Sequence, residues 1–106
     1  MIGVIIVAHG KLAEELLKAA QHVVGEQAYV ETVNIIPQDS DDDARDAMMK
    51  AVSRCNTGKG VMILTDMFGG VPSNLAMSLL GHGRIEVVAG VNLPMLIRLF
   101  SIRKDT

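Results

Sequence analysis

Four short apolar runs, each followed by a stretch with helical periodicity, divide this chain into strand–helix units. The first run, Ile2–Ala8, precedes a helix expected over about Lys11–Val24. Its apolar positions Leu12, Leu16, Ala19, Ala20 and Val23 recur at helical spacing, and Gly25 is placed to end it. The second run, Tyr29–Ile36, precedes a helix over Asp41–Cys55. There Ala44, Met48, Ala51, Val52 and Cys55 share one stripe, with Asp46, Lys50 and Arg54 opposite. The third, Val61–Thr65, leads to a helix over Pro72–Leu80, with Pro72 suited to the first turn and Gly81 to the end. The fourth, Ile85–Ala89, leads to a short helix over Pro94–Ser101. Such alternation predicts an α/β fold: a doubly wound open sheet of four parallel strands, helices on both faces, right-handed crossovers. The connections Pro37–Ser40 and Asn56–Gly60 have the length usual for these units.

The bulk properties narrow the class of function. With 106 residues, 49% of them hydrophobic, one domain over residues 1–106 with a real core is expected, and disorder is not. A chain of this size buries roughly 60–70% of its unfolded surface. Ten basic residues against twelve acidic ones leave no basic footprint for nucleic acid. The single cysteine, Cys55, excludes an internal disulfide and fits a reducing cytoplasmic setting. The apolar start lacks the basic flank of a signal peptide and stops at His9, far short of the ~20 residues that span a bilayer.

Chemistry is placed by where the runs end. In a parallel sheet the strand C-termini share one edge, and ligands bind in the crevice there. The first run ends in His9-Gly10 and the third in Asp66-Met67-Phe68-Gly69-Gly70. If the two strands are neighbours, an imidazole and a carboxylate meet. Asp66 would accept a hydrogen bond from one ring nitrogen of His9, fixing the tautomer and leaving the other as nucleophile. Gly69, Gly70 and Val71 lie between a strand end and a helix start, where backbone N–H groups make an anion-binding concavity. Gly10 leaves the imidazole open to close approach. Ser73 is a further phosphate candidate, although helix capping or solvent contact is the reading its position favours. This is equipment for holding a phosphoryl group on a histidine, and it calls for no cofactor.

Other conspicuous residues have blander readings. His22 near a helix end and His82 between two glycines are expected to be solvated or structural. Asp39-Ser40-Asp41-Asp42-Asp43 lacks the glycine turn and distal glutamate of a calcium loop, so it is read as capping a helix N-terminus rather than binding metal. Most of the seven methionines are expected to fill the core. Met67 and Phe68 are read instead as an apolar rim for a partner protein. A nucleotide binder would want a P-loop or a Gly-x-Gly-x-x-Gly fingerprint, and neither occurs.

The chain resembles a known family through several motifs that keep their order and spacing. They are Val7-Ala8-His9-Gly10, Leu16-Leu17-Lys18, Val24-Gly25-Glu26, Asp66-Met67-Phe68-Gly69-Gly70 with Pro72-Ser73-Asn74, and Ala89-Gly90-Val91-Asn92-Leu93-Pro94-Met95-Leu96. Together they are similar to the enzyme IIA component of the mannose family of the bacterial phosphoenolpyruvate-dependent sugar phosphotransferase system. The resemblance implies a cytoplasmic phosphotransferase with a phosphohistidine intermediate. The carrier protein HPr would phosphorylate His9 at Nε2, and His9 would pass the group to a IIB component. The membrane would enter only indirectly, through the transporter complex. Asp66 would hold Nδ1, the N–H groups around Gly69, Gly70 and Val71 would cradle the phosphate, and Asn92 would border the crevice. Two departures stand out. Val71 occupies a place where the family usually carries Ser or Thr, a loss of about 0.5–1.5 kcal/mol if one neutral hydrogen bond disappears. Family members also continue into a further helix and a strand exchanged within a homodimer. The chain is therefore expected to be a IIA domain shortened at its C-terminus, with the dimer in question and a sheet edge open. The alternative is a regulatory module whose phosphorylation at His9 is sensed by a partner without sugar transport. The related phosphotransfer subunit of dihydroxyacetone kinases fits less well, because of Gly69-Gly70-Val71-Pro72.

Overall fold

The computed structural model describes residues 1–105. The order is β1 (Gly3–His9), α1 (Leu12–Val24), β2 (Val30–Ile35), α2 (Asp41–Cys55), β3 (Val61–Thr65), α3 (Val71–Met77), β4 (Ile85–Ala89) and α4 (Leu93–Ile102), closed by a 3-10 turn, Arg103–Asp105. The strands form one parallel sheet in the order β2-β1-β3-β4. β1 is central, and Gly3 through Ala8 are buried, as an unbroken apolar run requires. Ile5, Val7, Ile35 and Ile63 pack on one face against Met48 and Leu75 of α2 and α3. Val4, Ile6 and Leu64 pack on the other against Ala13, Leu96 and Phe100 of α1 and α4. The doubly wound architecture is as expected. No helix among the described residues is long and apolar enough to cross a membrane.

The boundaries of α2, β3 and β4 coincide with the sequence reading, and the α2 stripe is the buried one. Ser40 caps α2 by accepting the Asp43 N–H at 3.1 Å, and Asp41, Asp42 and Asp43 fill the first turn, where carboxylates offset the helix dipole. Elsewhere the structure corrects the reading. α1 buries Ala13 and Ala20 and packs Leu16, Leu17 and Val24 on the core, whereas Leu12 and Val23 are exposed. Two apolar stripes share this helix, and the one containing small Ala13 and Ala20 allows the closer approach to the sheet. β2 begins at Val30 because Tyr29 adopts the left-handed region at φ 57°. α3 stops at Met77 and unwinds through bonds to carbonyls three residues back, Leu79 to Ala76 and Leu80 to Met77. Met77 is thereby exposed, unlike fully buried Met48.

Two buried groups tie distant segments together. Arg103 donates to the carbonyls of Ile2, Ala28 and Tyr29 and to Gln27 Oε1, with Phe100 stacked on its guanidinium at 5.2 Å. It closes the sheet edge where the strands begin. Cys55 ends α2 inside the core, where burial pushes its thiol up to about 11. A side chain on Gly3 would collide with the Cys55 carbonyl, so β1 and the end of α2 approach as only glycine permits.

Candidate active site

Strand pairing builds the site. β1 and β3 run in register with Val7 opposite Thr65, so the residues after each strand reach the same edge. The order of the sheet reverses between these strands, which opens a crevice between the loops that follow them. His9 and Asp66 meet there. His9 Nδ1 lies 2.8 Å from Asp66 Oδ2, and the His9 backbone N–H donates to the same oxygen at 3.1 Å. The Met67 N–H donates to Oδ1 at 2.9 Å. Burial opposes the Asp66 charge, but the hydrogen bonds from the His9 ring, the His9 N–H and the Met67 N–H prevail and hold its carboxyl below the usual range. An ionised carboxylate only accepts, so in the neutral ring Nδ1 carries the proton and Nε2 has the lone pair.

Nε2 faces the glycine loop. A Cβ on Gly70 would lie 3.0 Å from His9 Cε1 and 3.5 Å from Nε2. Only a glycine leaves the ring that room. Gly69 holds φ at 86°, a conformation side chains resist, and Gly70 begins α3 with no side-chain cap. The His9 side chain is 49% exposed against 11% for Asp66, so the imidazole is open and its hydrogen-bond partner is sheltered. Beside the imidazole lies a cavity of about 280 Å³ walled by Ile35, Ile36, Pro37, Ala44, Val71 and Leu75, with Asp39, Ser40 and Asp41 at its edge.

A family model described as "PTS system fructose IIA component" (EIIA-man) matches residues 3–106. The chain belongs to the EIIA-man family of the phosphotransferase system. The mannose-specific EIIAB component of Escherichia coli (strain K12) is 35% identical to this EIIA-man chain over 105 residues, which is 98% of the chain and 32% of that protein. The chain thus spans about a third of that relative's length. The fructose-specific EIIA component of Bacillus subtilis (strain 168) is 30% identical over 105 residues, covering 98% of this chain and 72% of that protein. Among solved structures, component EIIA from Streptococcus agalactiae aligns with a TM-score of 0.89 and 34% identity, over 100% of this chain and 82% of that one.

Most residues singled out in this EIIA-man sequence do gather at one edge. Gly10 turns the chain after His9, its N–H bonded to the Ile35 carbonyl at 2.8 Å. Met67, Phe68 and Val71 are exposed, Phe68 most of all at 77%. Asn92 caps α4, its Oδ1 accepting the Met95 N–H at 2.9 Å. Ser73 neither caps nor meets solvent: Gly70 is the N-cap, and Ser73 is fully buried. The phase of α3 turns it inward with Pro72, Leu75 and Ala76. His22 is exposed on α1, and His82 Nδ1 lies 3.2 Å from the Leu79 carbonyl, a structural contact. Sequence reasoning missed the cavity. Its signal was Ile36-Pro37, an apolar pair that continues past the end of β2 beside β1.

Proposed function

We propose that this protein is a phosphoryl carrier that accepts phosphate from HPr on His9 Nε2 and passes it to a IIB component of a sugar phosphotransferase system. The observation that carries this reading is the 2.8 Å contact of His9 Nδ1 with Asp66, which commits one ring nitrogen and frees the other. Transfer forms a bond between Nε2 and phosphorus. The bond from phosphorus to the donor's ring nitrogen breaks, and its electron pair returns to that nitrogen. The product imidazole keeps its Nδ1 proton and becomes cationic, and Asp66 offsets that charge. N–H groups of Gly69, Gly70 and Val71 cradle the phosphoryl oxygens. The reverse displacement delivers the group to the next acceptor. Such chemistry needs positioning and charge stabilisation rather than a cofactor. The exposed Met67–Phe68 rim and the apolar cavity offer a partner protein a seat that keeps water from the transferring group. The cytoplasm, where HPr works, is the proposed setting.

The test is labelling with phosphoenolpyruvate, enzyme I and HPr. One acid-labile, base-stable phosphoryl group is expected on the wild type, His22→Ala and His82→Ala, and none on His9→Ala. Normal labelling of His9→Ala would remove the assignment. Capture of a IIB domain by the phosphorylated form separates a transport role from a purely regulatory one.

A further inference from the structure

Two buried hydroxyls lie beneath the site, and the proposed transfer makes no use of them. Thr65 and Ser73 are both fully buried, and neither side-chain oxygen meets a hydrogen-bond partner among the described residues. Thr65 ends β3 directly before Asp66. Strand alternation puts its side chain on the same face as Ile63, the face that α2 and α3 cover. Ser73 sits on the buried side of α3, three residues after Gly70. A buried hydroxyl without an acceptor destabilises the fold, and an apolar group of the same shape would not. The chain carries this penalty at both ends of the loop that holds Asp66 and the glycine pair.

Peptide geometry supplies a reason. The N–H and C=O of one planar trans peptide point in opposite directions. When the Gly70 N–H turns out toward an anion on His9 Nε2, the Gly69 carbonyl of that same peptide turns inward. A serine within a helix can reach the carbonyl four residues back. For Ser73 that spacing leads to Gly69, which precedes the N-cap Gly70, so its carbonyl comes into reach only once its peptide has turned. We propose that Ser73 and Thr65 are positioning residues for the phosphorylated state. Ser73 donates to the Gly69 carbonyl once the glycine peptide has turned its N–H to the phosphoryl group. Thr65 braces the other end of the loop through a carbonyl of residues 66–68. Neither touches phosphorus; both act by holding the loop. This rests on the reading of His9 as the phosphoryl acceptor.

The experiment compares wild type, Ser73→Ala, Thr65→Val and Thr65→Ser. Each is phosphorylated with phosphoenolpyruvate, enzyme I and HPr, separated from the donors, and followed by phosphorus NMR as the phosphohistidine decays. The melting temperature of each unphosphorylated chain is measured alongside. Ser73→Ala and Thr65→Val are expected to shorten the phosphohistidine lifetime about three- to tenfold, the loss of one hydrogen bond. Thr65→Ser keeps its hydroxyl and keeps the wild-type lifetime. Melting temperatures of the unphosphorylated Ser73→Ala and Thr65→Val chains should equal or exceed that of the wild type. Unchanged lifetimes in both variants overturn the proposal. So does a fall of several degrees in both unphosphorylated melting temperatures, because the hydroxyls would then already be bonded. A wild type that takes no label at His9 overturns the carrier reading itself, before any variant is compared.

Discussion

The two edges of the sheet each set a nitrogen-bearing side chain against oxygen acceptors, and they treat it in opposite ways. Where the strands end, His9 has one ring nitrogen held by Asp66 while the ring stays half-exposed. Where they begin, Arg103 is 1% exposed, with carbonyls and an amide oxygen drawn from residues 2 and 27–29 around it. The acceptors at the Arg103 edge come mostly from backbone, so the group fastens segments. The acceptor at the His9 edge is one ionised side chain, so one nitrogen is oriented and the other left free. A half-exposed ring with one nitrogen committed stays open to a second partner, whereas a buried guanidinium among several acceptors is held in place.

The largest expected effects come from removing each group in turn. His9→Ala should abolish labelling and leave the thermal transition near that of the wild type. Arg103→Met should do the reverse, labelling normally below its transition while melting roughly 10 °C lower, the effect of about 2 kcal/mol of unpaired buried carbonyls. If Arg103→Met also loses labelling at low temperature, the two edges are coupled. Next in size is Asp66→Asn. An amide can donate to Nδ1 and so favour the tautomer protonated at Nε2, and transfer should fall about a hundredfold, as read by rapid-quench labelling. The pH profile has a definite sign. The Asp66 carboxyl titrates below its ordinary value in the folded chain, so its contribution to stability is whole at neutral pH. That contribution begins to fade as pH drops through the ordinary value of about 3.9, and it is gone below the folded-state value. Acid unfolding of wild type and Asp66→Asn should therefore converge at the acidic end.

Smaller effects test the open edge alone. Gly70→Ala places a methyl 3.0 Å from Cε1, and the displaced ring should transfer phosphate roughly tenfold more slowly, with little change in melting temperature. Val71→Ser places a hydroxyl at the crevice and should lengthen the phosphohistidine lifetime by about two- to tenfold.

The sequence carried the open edge better than the closed one. His9 and Asp66 each terminate an apolar run, and parallel pairing alone brings such ends together. The limits of α2 were legible because Ser40 and the acids behind it mark a helix start without help from elsewhere. The phase of α1 was not, since Leu12 and Leu16 alternate with Ala13, Leu17 and Ala20, and only the sheet selects between the stripes. Ser73 looked like a surface residue because polarity says nothing of which way a short helix is turned. Arg103 escaped notice for a related reason. Its partners lie 74 to 101 residues away in sequence, and no local pattern announces them.

The position of Cys55 gives the chain an internal clock. A thiol shut inside the core and held at about 11 offers almost no thiolate to reagents in neutral solution. Alkylation then proceeds only through chains that have opened. With a reagent slower than reclosing, the rate of modification reads the population of the open form; with a faster one, it reads the rate of opening.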